Sequence, residues 1–225
     1  SPRGELSGNI TLMGKDRSEL SDRESAEKIG FVMQSPDSQT VCDKVSAELA
    51  FGLESFGVKS GEIQSRVGEM AAFFGIEPLY DRDISTLSGG QKQLVALCSV
   101  MATDPDILLL DEPTAQLDPV AARELLGILD RLNKEMGVTI IIAEHDPEEL
   151  FDSCDKILYL AKGKTEFFGT PALTAKHFVK NALEGFLPET AKVFARLCDD
   201  LPLNVRQGRA KLEKLGVTDI PKQAV

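Results

Sequence analysis

The sequence predicts an α/β fold built on a parallel sheet, and two apolar runs with the segment between them support this. Ile107–Leu110 is a short apolar run, which is typical of a strand buried in a parallel sheet. Asp118 followed by Pro119 indicates the start of a helix, and Gly137 ends that helix. The apolar run at residues 138–143 then predicts a second buried strand, and so a right-handed βαβ unit.

A helix that opens on two glycines is predicted before the first of these strands. Ser88 and Gln91 have the spacing of a capping box, so a helix begins here with free backbone N–H groups. Gly89 and Gly90 carry no side chain that would block a phosphate from those N–H groups and from the positive end of the helix dipole. Apolar residues then recur on one face at helical spacing, at Leu94, Leu97, Cys98 and Met101.

Polar residues follow the predicted strands. Asp111 and Glu112 come directly after the run that ends at Leu110, and Gln34 follows a predicted strand at Lys28–Met33. Open α/β sheets bind ligands at the carboxyl ends of their strands. Each feature alone is also typical of a plain helix cap or a solvated loop, so the interpretation rests on their order along the chain.

In that order, the segment Leu87–Asp118 resembles the signature motif, the Walker B strand and the D-loop of ATP-binding-cassette (ABC) ATPases. Gln34 resembles the Q-loop glutamine of that family, and His145 resembles its H-loop histidine. The pattern Pro36-Asp37-x-Gln39, with the segment after it, is similar to the ATPases of energy-coupling-factor (ECF), or cobalt-type, importers of vitamins and metal ions.

The resemblance implies a P-loop NTPase-like parallel sheet core of ABC type. It further implies a helical signature subdomain at about residues 41–103, a partial antiparallel β-subdomain and a small helical C-terminal extension. The expected domains are an ABC ATPase domain at 1–170, lacking its N-terminal P-loop segment, and the extension at 171–225.

Several elements are expected within that organisation. Residues 8–16 alternate like a strand that ends in a turn, 60–79 is helix-like, and 156–168 resembles a hairpin. A helix is expected to begin at Asp146. The extension is expected to contain helical segments at Leu173–Leu183 and Pro188–Leu197, with His177 at the surface.

The resemblance also implies which residues bind ATP. In this family two cassettes face head to tail, and each ATP lies between the P-loop of one subunit and the signature motif of the other. Ser88 and the backbone amides of Gly89, Gly90 and Gln91 would then hold the γ-phosphate of the opposite subunit's nucleotide. The D-loop that ends at Asp118 would bridge the two sites.

Four residues would carry the chemistry. Asp111 would orient Mg²⁺, mostly through water, and Gln34 would contact the magnesium and link it to a transmembrane partner. Glu112 would activate the attacking water as general base, and His145 would contact the γ-phosphate.

The P-loop pattern G-x-x-x-x-G-K-[ST] does not occur in these 225 residues, because the Gly-Lys pairs at 14–15 and 163–164 both lack the first glycine. We therefore expect the chain alone to bind ATP poorly and to hydrolyse none. One reading is an incomplete piece of an ordinary ATPase, favoured because Glu112 and His145 are retained. The alternatives are a non-catalytic cassette that supplies only its signature face, or another ABC-class ATPase.

Composition bears on the partners and the compartment. The net charge of −11 gives no basic footprint for nucleic acid, and the four scattered cysteines favour reduced thiols over a disulfide framework or zinc. No apolar stretch is long enough to cross a bilayer. The expected partners are a second ABC ATPase subunit, in a homo- or heterodimer, and a transmembrane coupling subunit. The expected location is cytoplasmic, peripheral on the inner face of the cell membrane.

Overall fold

The computed structural model describes residues 7–145, 147–198 and 200–216, and the chain divides between Glu144 and His145 into two compact units. The fold is mixed α/β with a parallel sheet, as predicted. The predicted domain boundary between residues 170 and 171 stays a prediction about family organisation. None of the helices within the described residues is both long and apolar enough to span a membrane.

The first unit contains a small antiparallel hairpin, a three-stranded parallel sheet and a group of packed helices. In chain order its elements are β1 (Thr11–Leu12), β2 (Lys15–Asp16), α1 (Asp22–Lys28), β3 (Ile29–Val32), α2 (Pro36–Gln39), α3 (Val45–Ser55), α4 (Ser60–Phe74), α5 (Gly89–Met101), β4 (Ile107–Asp111), α6 (Pro119–Met136) and β5 (Thr139–Ala143). The sheet has the strand order β3-β4-β5, with every strand parallel to its neighbour. β4, which carries the two carboxylates at its end, is therefore the middle strand.

The two faces of this sheet are covered unequally. Val32, Leu108 and Leu110 are buried in one core with apolar residues of α5 and α6. Phe31, Leu109 and Ile141 pair across the three strands and face the opposite side of the sheet. Of these, Phe31 is 46% exposed and Ile141 is 56% exposed. Because side chains alternate along a strand, the core of the described unit lies on one side of the sheet.

Close packing of the signature helix on the sheet depends on a glycine. A Cβ atom added at Gly30 of β3 would overlap the side chain of Val100 in α5. Beyond α5, the helices α3 and α4 pack on it and on each other, and their buried residues Leu49, Leu53 and Val67 belong to the same core. These three helices lie within residues 41–103, where a helical signature subdomain was predicted.

Some predicted bounds in the first unit were wrong. The predicted helix at 60–79 ends at Phe74, because Gly75 takes a left-handed conformation (φ +67°), and a separate 3₁₀ turn follows. In place of the single strand predicted at 8–16, residues 11–16 form a hairpin that turns at Met13 and Gly14, so its Gly-Lys pair lies in a β-turn. Helix α1 was not predicted, although Ser21 and Glu24 form a capping box at its start.

The second unit begins with a 3₁₀ turn at Glu148–Leu150 in place of the predicted helix, and the expected cap at Asp146 lies outside the described residues. Its further elements are β6 (Ile157–Ala161), β7 (Lys164–Gly169), α7 (Pro171–Lys180), α8 (Glu189–Phe194) and α9 (Val205–Lys214). The hairpin of β6 and β7 is confirmed, and the predicted helices at 173–183 and 188–197 correspond to α7 and α8 with shifted bounds.

Aromatic contacts build the core of the second unit. Phe151 and Phe178 are buried there, and Tyr159 packs edge-on against Phe178 with ring centroids 5.1 Å apart. His177 was expected at the surface, but it is half-buried and stacks on Phe167 at 4.4 Å. Helix α9 was not predicted; Asn204 caps it by accepting the N–H of Gln207.

Candidate functional site

The middle strand ends in a sharp turn at Glu112. The backbone N–H of Glu112 donates to the carbonyl of Ala143 at 2.9 Å, which continues the pairing of Asp111 with Ala143 by one residue. Glu112 then takes a left-handed backbone conformation with φ +44°. This conformation is uncommon for a residue with a side chain, and such strain concentrates at functional sites.

The turn brings Glu112 to the residue that follows β3. Nε2 of Gln34 donates to Oε2 of Glu112 at 2.8 Å, although the two residues are 78 positions apart in the chain. The parallel register explains this contact, because Val32 pairs with Leu110 and both strands end at the same edge of the sheet. Two residues that were predicted separately therefore lie together in one site.

The residues at this edge are suited to bind a hard cation, part of whose ligands would come from the phosphates of a nucleotide. Asp111 and Gln34 are exposed and carry oxygen donors, which Mg²⁺ prefers. The described residues contain no cluster of three or more His, Cys, Asp or Glu side chains arranged for a metal. Mg²⁺ commonly takes one or two protein ligands with phosphate and water oxygens, so the donor set fits that mode of binding.

The predicted capping box at the start of α5 is present. Oγ of Ser88 accepts the N–H of Gln91 at 3.3 Å, and Oε1 of Gln91 accepts the N–H of Ser88 at 3.0 Å. The N–H of Gln91 is therefore already engaged within the box, whereas it was predicted as a phosphate ligand. Ser88 and Gly89 are exposed, so the first turn of α5 is open to solvent.

The start of α6 lies beside the start of α5. A Cβ atom at Gly90 would stand 3.1 Å from Cβ of Ala121, and one at Gly89 would stand 3.8 Å from the carbonyl oxygen of Gln116. Oδ1 of Asp118 accepts the N–H groups of Val120 at 2.9 Å and Ala121 at 3.1 Å. These bonds, that from Ala121 first, lower the pKa of Asp118 below its ordinary value.

His145 is exposed and follows β5 by two residues, as the first residue of the second unit. Its contact with a γ-phosphate stays a prediction.

One contact in this region was missed from the sequence. Oε1 of Glu144 accepts the hydroxyl of Thr114 at 2.7 Å and the N–H of Thr114 at 3.3 Å. Glu144 thereby fixes the loop that follows Glu112. The neighbouring ends of β4 and β5 were the available signal, because parallel strands place the residues after them side by side.

The chain has four cysteines, of which Cys98 lies on the buried face of α5. All four are free thiols, and burial raises the pKa of Cys98 to about 12. The thiolate is the reactive form of cysteine, so Cys98 serves as a core residue of α5.

Comparison with known proteins identifies relatives of the chain. A family model described as ABC transporter matches residues 3–115. A putative ABC transporter ATP-binding protein of Bacillus thuringiensis subsp. konkukian is 39% identical over 94% of the chain, which spans 39% of that protein's length. A putative ABC transporter ATP-binding protein of Methanosarcina acetivorans is 32% identical over 95% of the chain and 67% of its own length.

Two solved structures of ABC proteins have a similar fold. The structure of cbiO1 from Clostridium perfringens, described as part of the ABC transporter complex cbiONQ, superposes with a TM-score of 0.71 at 33% identity. That match covers 91% of this chain and 76% of cbiO1. The ATP-binding cassette MJ0796, described as a dimer in a post-hydrolysis state with ADP and Pi, matches at a TM-score of 0.62 and 26% identity, covering 73% and 74% of the two chains.

Proposed function

The chain belongs to the ABC transporter family, and from that premise we propose that it is part of the ATP-hydrolysing subunit of an ECF-type importer. Such a subunit couples ATP hydrolysis to the uptake of a vitamin or a metal ion. The observation that carries the proposal is the hydrogen bond between Gln34 and Glu112 at the carboxyl ends of β3 and β4. It joins the proposed general base to the segment that carries the ECF-like pattern.

We assign the chemistry of hydrolysis to Glu112. Its carboxylate accepts the proton of the attacking water, and Gln34 orients that carboxylate through the 2.8 Å hydrogen bond. Asp111 would orient Mg²⁺, mostly through water, and Gln34 would contact it; the bound ion would neutralise negative charge on the phosphates. His145 contacts the γ-phosphate.

We assign the start of α5 to the nucleotide of a second ABC ATPase subunit. The hydroxyl of Ser88 keeps its own hydrogen to donate while its oxygen accepts from Gln91. The N–H groups of Gly89 and Gly90, at the positive end of the helix, add to this anion site. Asp118 ends the D-loop between the two sites. Support for a dimer comes from the cassette MJ0796, which is described as dimeric.

We further propose that residues 34–51 bind a transmembrane coupling subunit at the inner face of the cell membrane. This surface borders a groove of about 510 Å³ that Asp37, Cys42 and Asp83 help to line. Val41 and Phe51, which belong to the same residues 34–51, are exposed, and exposed apolar side chains suit a docked helix. The similar protein cbiO1 is described as part of a transporter complex.

The decisive test is Glu112→Gln in the native protein that carries these residues, assembled with its ABC ATPase partner. We expect ATP to bind as before and turnover to fall at least about a hundredfold, because glutamine keeps the shape of the side chain but accepts no proton. Glu124→Gln, on the exposed surface of α6, is the matched control. Undiminished turnover in Glu112→Gln would support the alternative of a non-catalytic cassette.

Two further measurements define the role of these 225 residues. The purified chain alone should hydrolyse no ATP, because the P-loop pattern does not occur in its 225 residues. Cysteines placed at Ser38 and Lys44 should cross-link to an integral membrane protein in native membranes. Labelling of water-soluble proteins alone would count against an importer.

A further inference from the structure

A single side chain ties the turn after Gln34 to the sheet. Oε1 of Gln39 accepts the N–H of Met33 at 2.9 Å, and Nε2 of Gln39 donates to the carbonyl of Phe31 at 3.1 Å. Strand β3 lies at the edge of the described sheet, with β4 on its other side. Because residues i and i+2 of a strand direct their peptide groups to the same side, the Gln39 amide takes the place of one residue of a further strand.

The same turn is fixed at a second point. Pro36 is buried at the start of α2, and Asp37 of α2 forms an ion pair with Lys92 in the first turn of α5. Nζ of Lys92 lies 2.6 Å from Oδ1 of Asp37, and the lysine side chain is only 19% exposed. The turn therefore has one anchor on the edge of the sheet and one on the signature helix.

Gln34 lies between these anchors. The residue before it, Met33, is held through its N–H by Gln39, and the second residue after it, Pro36, is buried. Fixing the backbone on both sides limits the directions in which the Gln34 side chain can point. In the resulting position its Nε2 reaches Oε2 of Glu112.

We infer that Gln39 is a positioning residue, whose amide holds the turn so that Gln34 stays against Glu112. For its effect on ATP turnover this inference rests on the proposed function. For its effect on the geometry it rests on the contacts alone, so the two parts can be tested separately.

The geometric test uses NMR on the native protein that carries these residues. Gln39→Ala should speed amide hydrogen exchange at Met33 roughly three- to tenfold, the value of one ordinary hydrogen bond. The side-chain amide resonance of Gln34 should also move towards its position in Glu112→Ala, where the contact is broken. Ser38→Ala, an exposed neighbour on the same turn, is the control and should leave both signals in place.

A pH series distinguishes the hydrogen bonds from mere bulk. In Gln39→Glu the ionised carboxylate has no donor for the Phe31 carbonyl, so the Gln34 resonance should shift at pH 8. The protonated carboxyl has one donor and one acceptor, and at low pH it should bring the resonance back to the position that wild type has at the same pH. Failure of the low-pH form to restore it would contradict the inference.

The functional test uses the native protein with its ATPase partner. Gln39→Ala should lower kcat about tenfold or more and leave KM for ATP nearly unchanged, because a displaced catalytic group slows the chemical step. Unchanged kcat despite the NMR shifts, or unchanged Met33 exchange, would overturn the inference. A wild-type protein that shows no ATP turnover would instead contradict the proposed function, and the NMR series would still decide the geometry.

Discussion

The starts of α5 and α6 lie side by side, and each is capped by a side chain. The cap of α5 is neutral, whereas the cap of α6 carries a negative charge. At α5 the cap is the neutral hydroxyl of Ser88, followed by two glycines, and it accepts one N–H. At α6 the cap is the carboxylate of Asp118, followed by Pro119, and it accepts two N–H groups. Proline also removes one of the free N–H groups at this end.

The difference shows how a side-chain cap at a helix start can serve two purposes. The cap of α6 stabilises its own helix, and the cap of α5 leaves the helix start available for binding. The positive end of a helix dipole stabilises a nearby anion. Helix α6 supplies that anion itself, through Asp118. Helix α5 has no acidic residue in its first turn, and its exposed residue Gly89 leaves room for an anion from elsewhere.

The largest effect should come from giving α5 the cap of α6. Ser88→Asp should leave the melting temperature nearly unchanged, because aspartate caps a helix as well as serine does. ATP turnover of the native assembly should fall at least about a hundredfold, because a carboxylate would then stand where a phosphate must bind.

Asp118→Ser is the matched exchange at α6. It keeps a side chain that caps the helix and adds no charge at α5, so it should reduce turnover far less than Ser88→Asp. Equal losses in the two variants would show that the comparison between the helix starts is wrong.

A smaller effect should appear at α6 when its cap is removed. Asp118→Ala should lower the melting temperature by about 3 °C, while Asp118→Asn should lose less, because asparagine also caps. The lowered pKa of Asp118 sets the pH dependence. Its stabilising contribution is complete above the ordinary value of 3.8 and is lost as the pH falls through the lower value of the folded state. The higher melting temperature of wild type relative to Asp118→Asn should therefore disappear in acid. A difference that persists there would contradict the claim that the charge of Asp118 stabilises α6.

The smallest effect should come from Lys92, the cation in the first turn of α5. A cation is unfavourable at the positive end of a helix, and Asp37 offsets it. Asp37→Asn should therefore destabilise the chain more than Lys92→Met, with both shifts within about 2 °C. Thermal melts of both variants and of the double variant would measure this. If Lys92→Met lowered the melting temperature more than Asp37→Asn, the view that Asp37 offsets an unfavourable cation at the start of α5 would be wrong.

Local sequence determined the caps and the strands of this protein. The capping box of Ser88 and Gln91, the Asp118 cap and the Gly137 stop are all present where the residues predicted them. The two apolar runs at 107–110 and 138–143 are the parallel strands β4 and β5. These features could be predicted because each one depends on residues within about four positions of one another, so the chain specifies them before any packing occurs.

Only the tertiary structure decided which of these pieces touch. The contact of Gln34 with Glu112 and the ion pair of Asp37 with Lys92 join residues 78 and 55 positions apart, and the contact of Thr114 with Glu144 spans 30. The two contacts at strand ends depend on the register of the parallel strands, and the ion pair depends on how α5 packs against α2. The register cannot be read from a single sequence. The residue pattern of a strand shows which of its faces is apolar, but it does not show which residue of the neighbouring strand each residue will pair with.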